Sequence, residues 1–167
     1  MELTTEILYT LLKQDKTHLR ALARDLNKHP TTIRNAVKKL DNIVQTTKDE
    51  KLIISFANTE QAKLTKAHLI KLQLFDSGFI THINNVLFEP TIILFGSAQR
   101  GEMNKQSDID LCIICEEKKE VETGVFGIQR EIQLFTHTKK SFRKLSKELR
   151  NNILNGDILQ GYVEVYE

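Results

Sequence analysis

At 167 residues, 40% hydrophobic and 28% charged, the chain is long enough to bury a core as one domain or as two small ones. No run approaches the ~18 apolar residues of a membrane span, and Met1-Glu2-Leu3 does not begin a signal peptide, so a membrane role is excluded and a cytoplasmic protein is expected. The net charge of +2 is unevenly spread: residues 1–56 carry ten Lys/Arg against seven Asp/Glu, and residues 57–167 fourteen against fifteen, which makes the N-terminal third the basic part.

In chain order, Ile7, Leu8, Leu11 and Leu12 recur at helical spacing and predict a helix from Thr5 to Lys13, with Thr4 or Thr5 as N-cap. A second helix is expected to begin at Lys16-Thr17, carry Leu19, Ala21, Leu22, Ala23 and Leu26, and stop at Asn27-Lys28-His29. Pro30 suits the first turn of a third helix, Thr31 to Leu40, whose apolar side holds Ile33, Ala36, Val37 and Leu40. Ile43-Val44-Gln45 and Leu52-Ile53-Ile54, around a polar turn from Thr46 to Lys51, predict a β-hairpin. Asn58 to Phe75, without Gly or Pro, reads as a connecting helix. Asp76-Ser77 offers a cap for a helix with Phe79, Ile80, Ile83, Val86 and Leu87, which ends by Pro90. An apolar strand follows and ends at Gly96-Ser97. After a polar loop comes a second strand holding Asp108 and Asp110, then the charged segment Glu116 to Gly124 and a third strand from Gly127 to Thr136. A helix from Lys140 to about Leu154 and a last strand or extension from Ile158 to Tyr166 complete the chain.

The chemistry is concentrated in TIILFGSAQRGEMNKQSDIDLCIIC, residues 91–115. Side chains alternate along a strand, so Asp108 and Asp110 share one face, about 7 Å apart, while Ile109, Leu111 and Ile113 point into a core. Two such carboxylates repel one another, and a hard divalent cation such as Mg²⁺ resolves the conflict while leaving positions open for phosphate oxygens. Gly96 permits close approach of an anion to the main chain, and Ser97 adds a hydroxyl. Arg100 and Lys105 could neutralise phosphate or be plain surface cations, and Ser107 reads as a turn residue. Cys112 and Cys115 spell C-x-x-C, but a three-residue offset in a strand sends them to opposite faces, so two buried thiols are expected. The five histidines show no metal-ligand spacing.

Gly96-Ser97, the basic turn Arg100-Gly101-Glu102 and Ser107-Asp108-Ile109-Asp110-Leu111 together resemble the signature of the DNA polymerase beta-like nucleotidyltransferases, closest to their minimal prokaryotic members, over roughly Asp76 to Tyr166. LRALARDLNKHPTTIRNAVKKL, with three helices followed by a hairpin, resembles a winged helix-turn-helix. The expected fold is therefore α+β: a winged helix-turn-helix at 1–56, a linker helix at 57–75, and a small mixed-sheet nucleotidyltransferase domain at 76–167.

The first resemblance implies transfer of a nucleoside monophosphate from a nucleoside triphosphate, with Mg²⁺ or Mn²⁺ as cofactor, Gly96, Ser97 and Arg100 at the nucleotide, and Asp108 and Asp110 as catalytic metal ligands. The family adds a third acid on a neighbouring strand. In GIQREIQLFTHT the only acid is Glu131, where many relatives place aspartate, and Gln133 lies two residues on along the same face. Glu131 is either the third catalytic metal ligand or a structural residue. The second resemblance implies duplex DNA as a partner of Thr31, Thr32, Arg34, Asn35, Lys38 and Lys39. The alternative for that face is a solvated surface in a dimerisation module, hence a homodimer. A DNA-binding regulator whose second domain only binds nucleotide, and an antitoxin-like protein with a toxin as protein acceptor, also stay open.

Overall fold

In a computed structural model, residues 2–48, 51–117, 119–128 and 130–164 are described. The chain divides into two compact units, Met1–Leu69 and Ile70–Glu167.

The first unit opens with α1 (Leu3–Gln14), which buries Ile7, Leu8, Leu11 and Leu12. Both threonines expected as caps lie inside its first turn, because the helix begins earlier, after Glu2. Asp15, at φ 61°, ends it. Lys16–His18 then forms a strand, β1, where the start of a helix was expected. Its register against a later strand, Thr17 opposite Ile54, places a β-branched residue in the middle of the pairing, where it is buried. Helix α2 (Leu19–Asp25) and α3 (Pro30–Lys38) follow. Pro30 opens α3 and the His29 ring accepts the Thr31 N–H at 3.3 Å. Strands β2 (Val44–Lys48) and β3 (Leu52–Phe56) pair antiparallel and extend the expected hairpin arms; Asp49 and Glu50 of the expected turn lie outside the described residues. The sheet order is β1-β3-β2.

Helix α4 (Glu60–Asp76) runs across the division between the units. In the second unit, α5 (Phe79–Val86) buries Phe79, Ile80 and Ile83. The Ser77 hydroxyl accepts the Phe79 N–H at 3.3 Å, though Gly78 is the N-cap residue. Four strands, β4 (Thr91–Phe95), β5 (Ile109–Ile114), β6 (Ile132–His137) and β7 (Asp157–Gln160), form a sheet in the order β6-β5-β4-β7. Strands β5 and β6 pair parallel and the other two pairings are antiparallel, so the sheet is mixed, as expected. The third strand is shorter than expected, and Val165 and Tyr166 of the last extension lie outside the described residues. One face of the sheet packs Ile93, Phe95, Cys112 and Ile114 against Phe142 and Ile153.

Phe142 and Ile153 come from two helices, α7 (Lys139–Arg143) and α8 (Lys147–Leu154), where a single helix was expected. Ser146 starts the second one: its hydroxyl accepts the Leu149 N–H, an N-cap in the middle of an otherwise helical pattern. After α8, Gly156 passes so close to β4 that a Cβ there would stand 2.5 Å from the Leu94 carbonyl oxygen. Only glycine allows β7 to join the sheet at that point.

Candidate metal and nucleotide site

The site forms where β4 runs out. Every residue of β4 is buried, and Phe95 pairs with Asp110. Gly96 then takes φ 74°, in the left-handed region, and begins a single helical turn, α6 (Gly96–Gln99). A Cβ on Gly96 would lie 2.5 Å from Asp110 Oδ2, so the carboxylate occupies the space that any other residue would fill. This binds the two halves of the motif to one another: the missing side chain at 96 is what admits the carboxylate at 110.

Asp110, Cys112 and Ile114 share a strand face, and the last two are buried in the core. Asp110 is thus the polar end of an apolar row. Burial, and secondarily the neighbouring Asp108 carboxylate, hold its carboxyl above the ordinary range. Asp108, half-buried just before β5, accepts a hydrogen bond at 2.7 Å from the Gln133 side-chain amide. Gln133 stands directly beside Asp110 in the parallel β5–β6 pairing.

The sequence allows Glu131 as either the third metal ligand or a structural residue, and the described residues do not gather it with the aspartates: no three or more His, Cys, Asp or Glu side chains are grouped to hold a metal. Its carbonyl oxygen accepts the Ile109 N–H at 2.9 Å, but the residue precedes β6 and is exposed. Parallel pairing brings Gln133, two residues on, to the position next to Asp110 instead. Ser97 is half-buried in α6, next to Gly96 in the chain. Arg100 is turned to Glu102, with Nε 2.7 Å from Oε2.

The loop ahead of Asp108 is held locally. The Ser107 hydroxyl accepts the Asn104 N–H at 3.0 Å, the turn role expected of it, and the Asn104 side chain accepts the Gln106 N–H at 2.9 Å. Arg130 donates to the carbonyls of Asn104 and Ser107 and ties the loop to the approach of β6. A second brace supports α6: Lys71 pairs with Asp157 at 2.8 Å, and the other Asp157 oxygen takes the Gln99 amide at 3.5 Å. Neither Arg130 nor Asp157 carries a local signal in the sequence, since their partners are 23 to 26 and 58 to 86 residues away.

Cys112 and Cys115 are both free and buried. Burial, with a smaller push from Cys115, raises the Cys112 thiol to about 12, the reverse of what a redox or metal-binding thiolate requires. A hollow of about 950 Å³ lies at the other end of β4 and β5, around Thr91 and Ile114, away from the aspartates.

In the first unit, Thr31, Thr32, Arg34, Asn35, Lys38 and Lys39 are all exposed on α3 or just beyond it. Arg34 and Lys38 line, with Thr46 and Lys48 of β2, a groove of about 630 Å³ floored by Val37, Val44 and Ile54. The two cations of the helix and the one of the hairpin arm line the same hollow, together with Asp41.

Residues 86–157 match the model of the nucleotidyltransferase domain family, a span that takes in β4, α6, β5 and β6 together. No curated protein and no solved structure matches the chain.

Proposed function

We propose that this protein is a divalent-cation-dependent nucleotidyltransferase that moves a nucleoside monophosphate from a nucleoside triphosphate to an acceptor, joined to a winged helix-turn-helix that binds duplex DNA. The single observation that carries the enzymatic part is the seat of Asp110 against Gly96, beside Asp108. It puts two carboxylates next to the glycine turn that begins α6.

The donor set of Asp108 and Asp110 suits one hard cation, Mg²⁺ or Mn²⁺, because both oxygens are anionic and one is partly desolvated by burial. Asp108 and Asp110 would hold such a cation, which would supply Lewis-acid polarisation of phosphate oxygens. The chain's own residues do the rest. Gly96 and Ser97 would lie against the triphosphate through backbone N–H groups and the hydroxyl, and Arg100, which caps the same turn, would screen its charge by turning from Glu102. An acceptor hydroxyl attacks the α-phosphorus, the bond to the bridging β-phosphate oxygen breaks, pyrophosphate leaves, and the acceptor's proton passes to water. The test is thermal: Mn²⁺ with triphosphate should raise the melting temperature more than triphosphate alone, and a labelled nucleotide should appear on an acceptor. Absence of metal-dependent stabilisation overturns the reading.

One observation favours a second reading. Gln133, neutral, stands where the strand pairing would place a further acid, which suits a DNA-binding regulator that holds nucleotide and transfers it slowly or not at all. The DNA-binding part rests on the helix–strand–helix–helix–hairpin order and on the cations of α3 and β2 around one groove. A toxin-like protein acceptor and a homodimer are the partners left for the acceptor assay and for a sedimentation measurement to decide.

A further inference from the structure

The side chain on the neighbouring strand that stands nearest Asp110 on the same face is the one paired with it. Gln133 occupies that position, and its amide nitrogen donates to Asp108 Oδ2 at 2.7 Å. The nitrogen has no lone pair to give a metal, and the amide oxygen is neutral. The amide also engages one of the four carboxylate oxygens that a metal cluster would use. No third acidic, His or Cys side chain is grouped with the pair to hold a metal among the described residues.

Charge then decides how many cations fit. Two divalent ions about 3.5–4 Å apart bring four positive charges together, and each needs anionic oxygens of its own as well as shared ones. Triphosphate oxygens serve the ion that travels with the nucleotide. A second ion would rely on the protein, which offers two carboxylates, one of them already hydrogen-bonded to an amide.

We propose that Gln133 limits this site to a single divalent cation, the one that enters with the triphosphate. Gln133 is a positioning residue: it holds Asp108 in place for that ion and denies the anionic oxygen that a second would need. This rests on the reading of the site as one for a metal-bound triphosphate.

The experiment counts both ligands. The full chain is dialysed to equilibrium against Mn²⁺ and a non-hydrolysable α,β-methylene triphosphate, and bound metal and bound analogue are each measured per chain. We expect about one Mn²⁺ per bound analogue in the unchanged protein and in Glu131→Gln, and about two in Gln133→Glu, where an isosteric side chain gains a negative charge and loses the donor to Asp108. Gln133→Asp, one methylene shorter, gives the same comparison if the glutamate variant does not fold. Two Mn²⁺ per analogue in the unchanged chain overturns the inference and leaves the metal–triphosphate site standing. One in both Gln133 variants removes the role given to Gln133. Binding of neither ligand to the unchanged chain overturns the site and the inference together.

Discussion

In the function proposed above, the exposed face of α3 and the aspartate pair at the start of β5 both meet phosphate, and they are built in opposite ways. Five of the six polar residues lie on α3 and Lys39 just beyond it; all are exposed, and the other side of the helix holds Ile33, Ala36 and Val37 in the core. Each cation acts there through solvent and across a groove, so contributions should be small, additive and screened by salt. At the start of β5 the aspartates are half-buried, Asp110 in the strand against a glycine that cannot be replaced without collision and Asp108 just before it on the Gln133 amide. That arrangement is geometric, and one atom out of place undoes it. Exposed recognition degrades gradually, whereas partly buried recognition fails at single positions.

The largest effect should come from the carboxylates themselves. Asp108→Asn or Asp110→Asn keeps shape and removes charge, so nucleotide transfer should drop on the order of 10²–10³-fold, the scale on which one electrostatic group in an active site acts. The extra melting-temperature rise from Mn²⁺ over triphosphate alone should vanish in the same variants, since that rise reflects binding to the folded state. A retained increment in either variant would place the cation elsewhere.

Gly96→Ala comes next. A residue forced into the left-handed region costs on the order of 1–3 kcal/mol, and the new Cβ would displace the Asp110 carboxylate that stands 2.5 Å from it. Melting should fall by an amount measurable by circular dichroism, and metal-dependent stabilisation should fall with it. If stability drops while the metal increment is intact, the glycine serves the turn alone.

On the helix face, Arg34→Ala combined with Lys38→Ala should weaken duplex DNA binding at every sequence and lower the salt slope by about two, roughly one for each phosphate left without its cation. Filter binding across a salt series reads this directly. Binding that changes at one sequence only would mean that these side chains read base edges rather than phosphates.

The smallest effect is electrostatic and separates the two faces cleanly. The Asp110 carboxyl is raised above its ordinary value of 3.8 by burial and by Asp108. A raised carboxyl means the unfolded chain ionises first as pH rises, so stability is lost from about 3.8 up to the folded value and the loss then persists at neutral pH. Without metal, Asp110→Asn should therefore melt slightly higher than the unchanged protein at pH 7, and the gap should close below the ordinary value. Melting curves that keep the gap at low pH would assign it to packing.

Residues 91–115 show what was legible. The apolar run of β4, the glycine after it and the alternation of Asp108, Ile109, Asp110 and Leu111 each state a backbone conformation locally, and the strands, the turn and the shared face of the aspartates are all present. The buried thiols followed from the same alternation. Three things did not. Strand β1 is three residues long, too short for any period, and exists because β3 has an edge to pair. The break between α7 and α8 is made by one serine that could as well have sat inside a helix. The choice between Glu131 and Gln133 is a matter of register between β5 and β6: side chains alternate with a period of two, both residues belong to one face, and the pairing decides that Gln133 is the one that stands beside Asp110. Local sequence sets what a strand presents, and its neighbour in the sheet sets what that face meets.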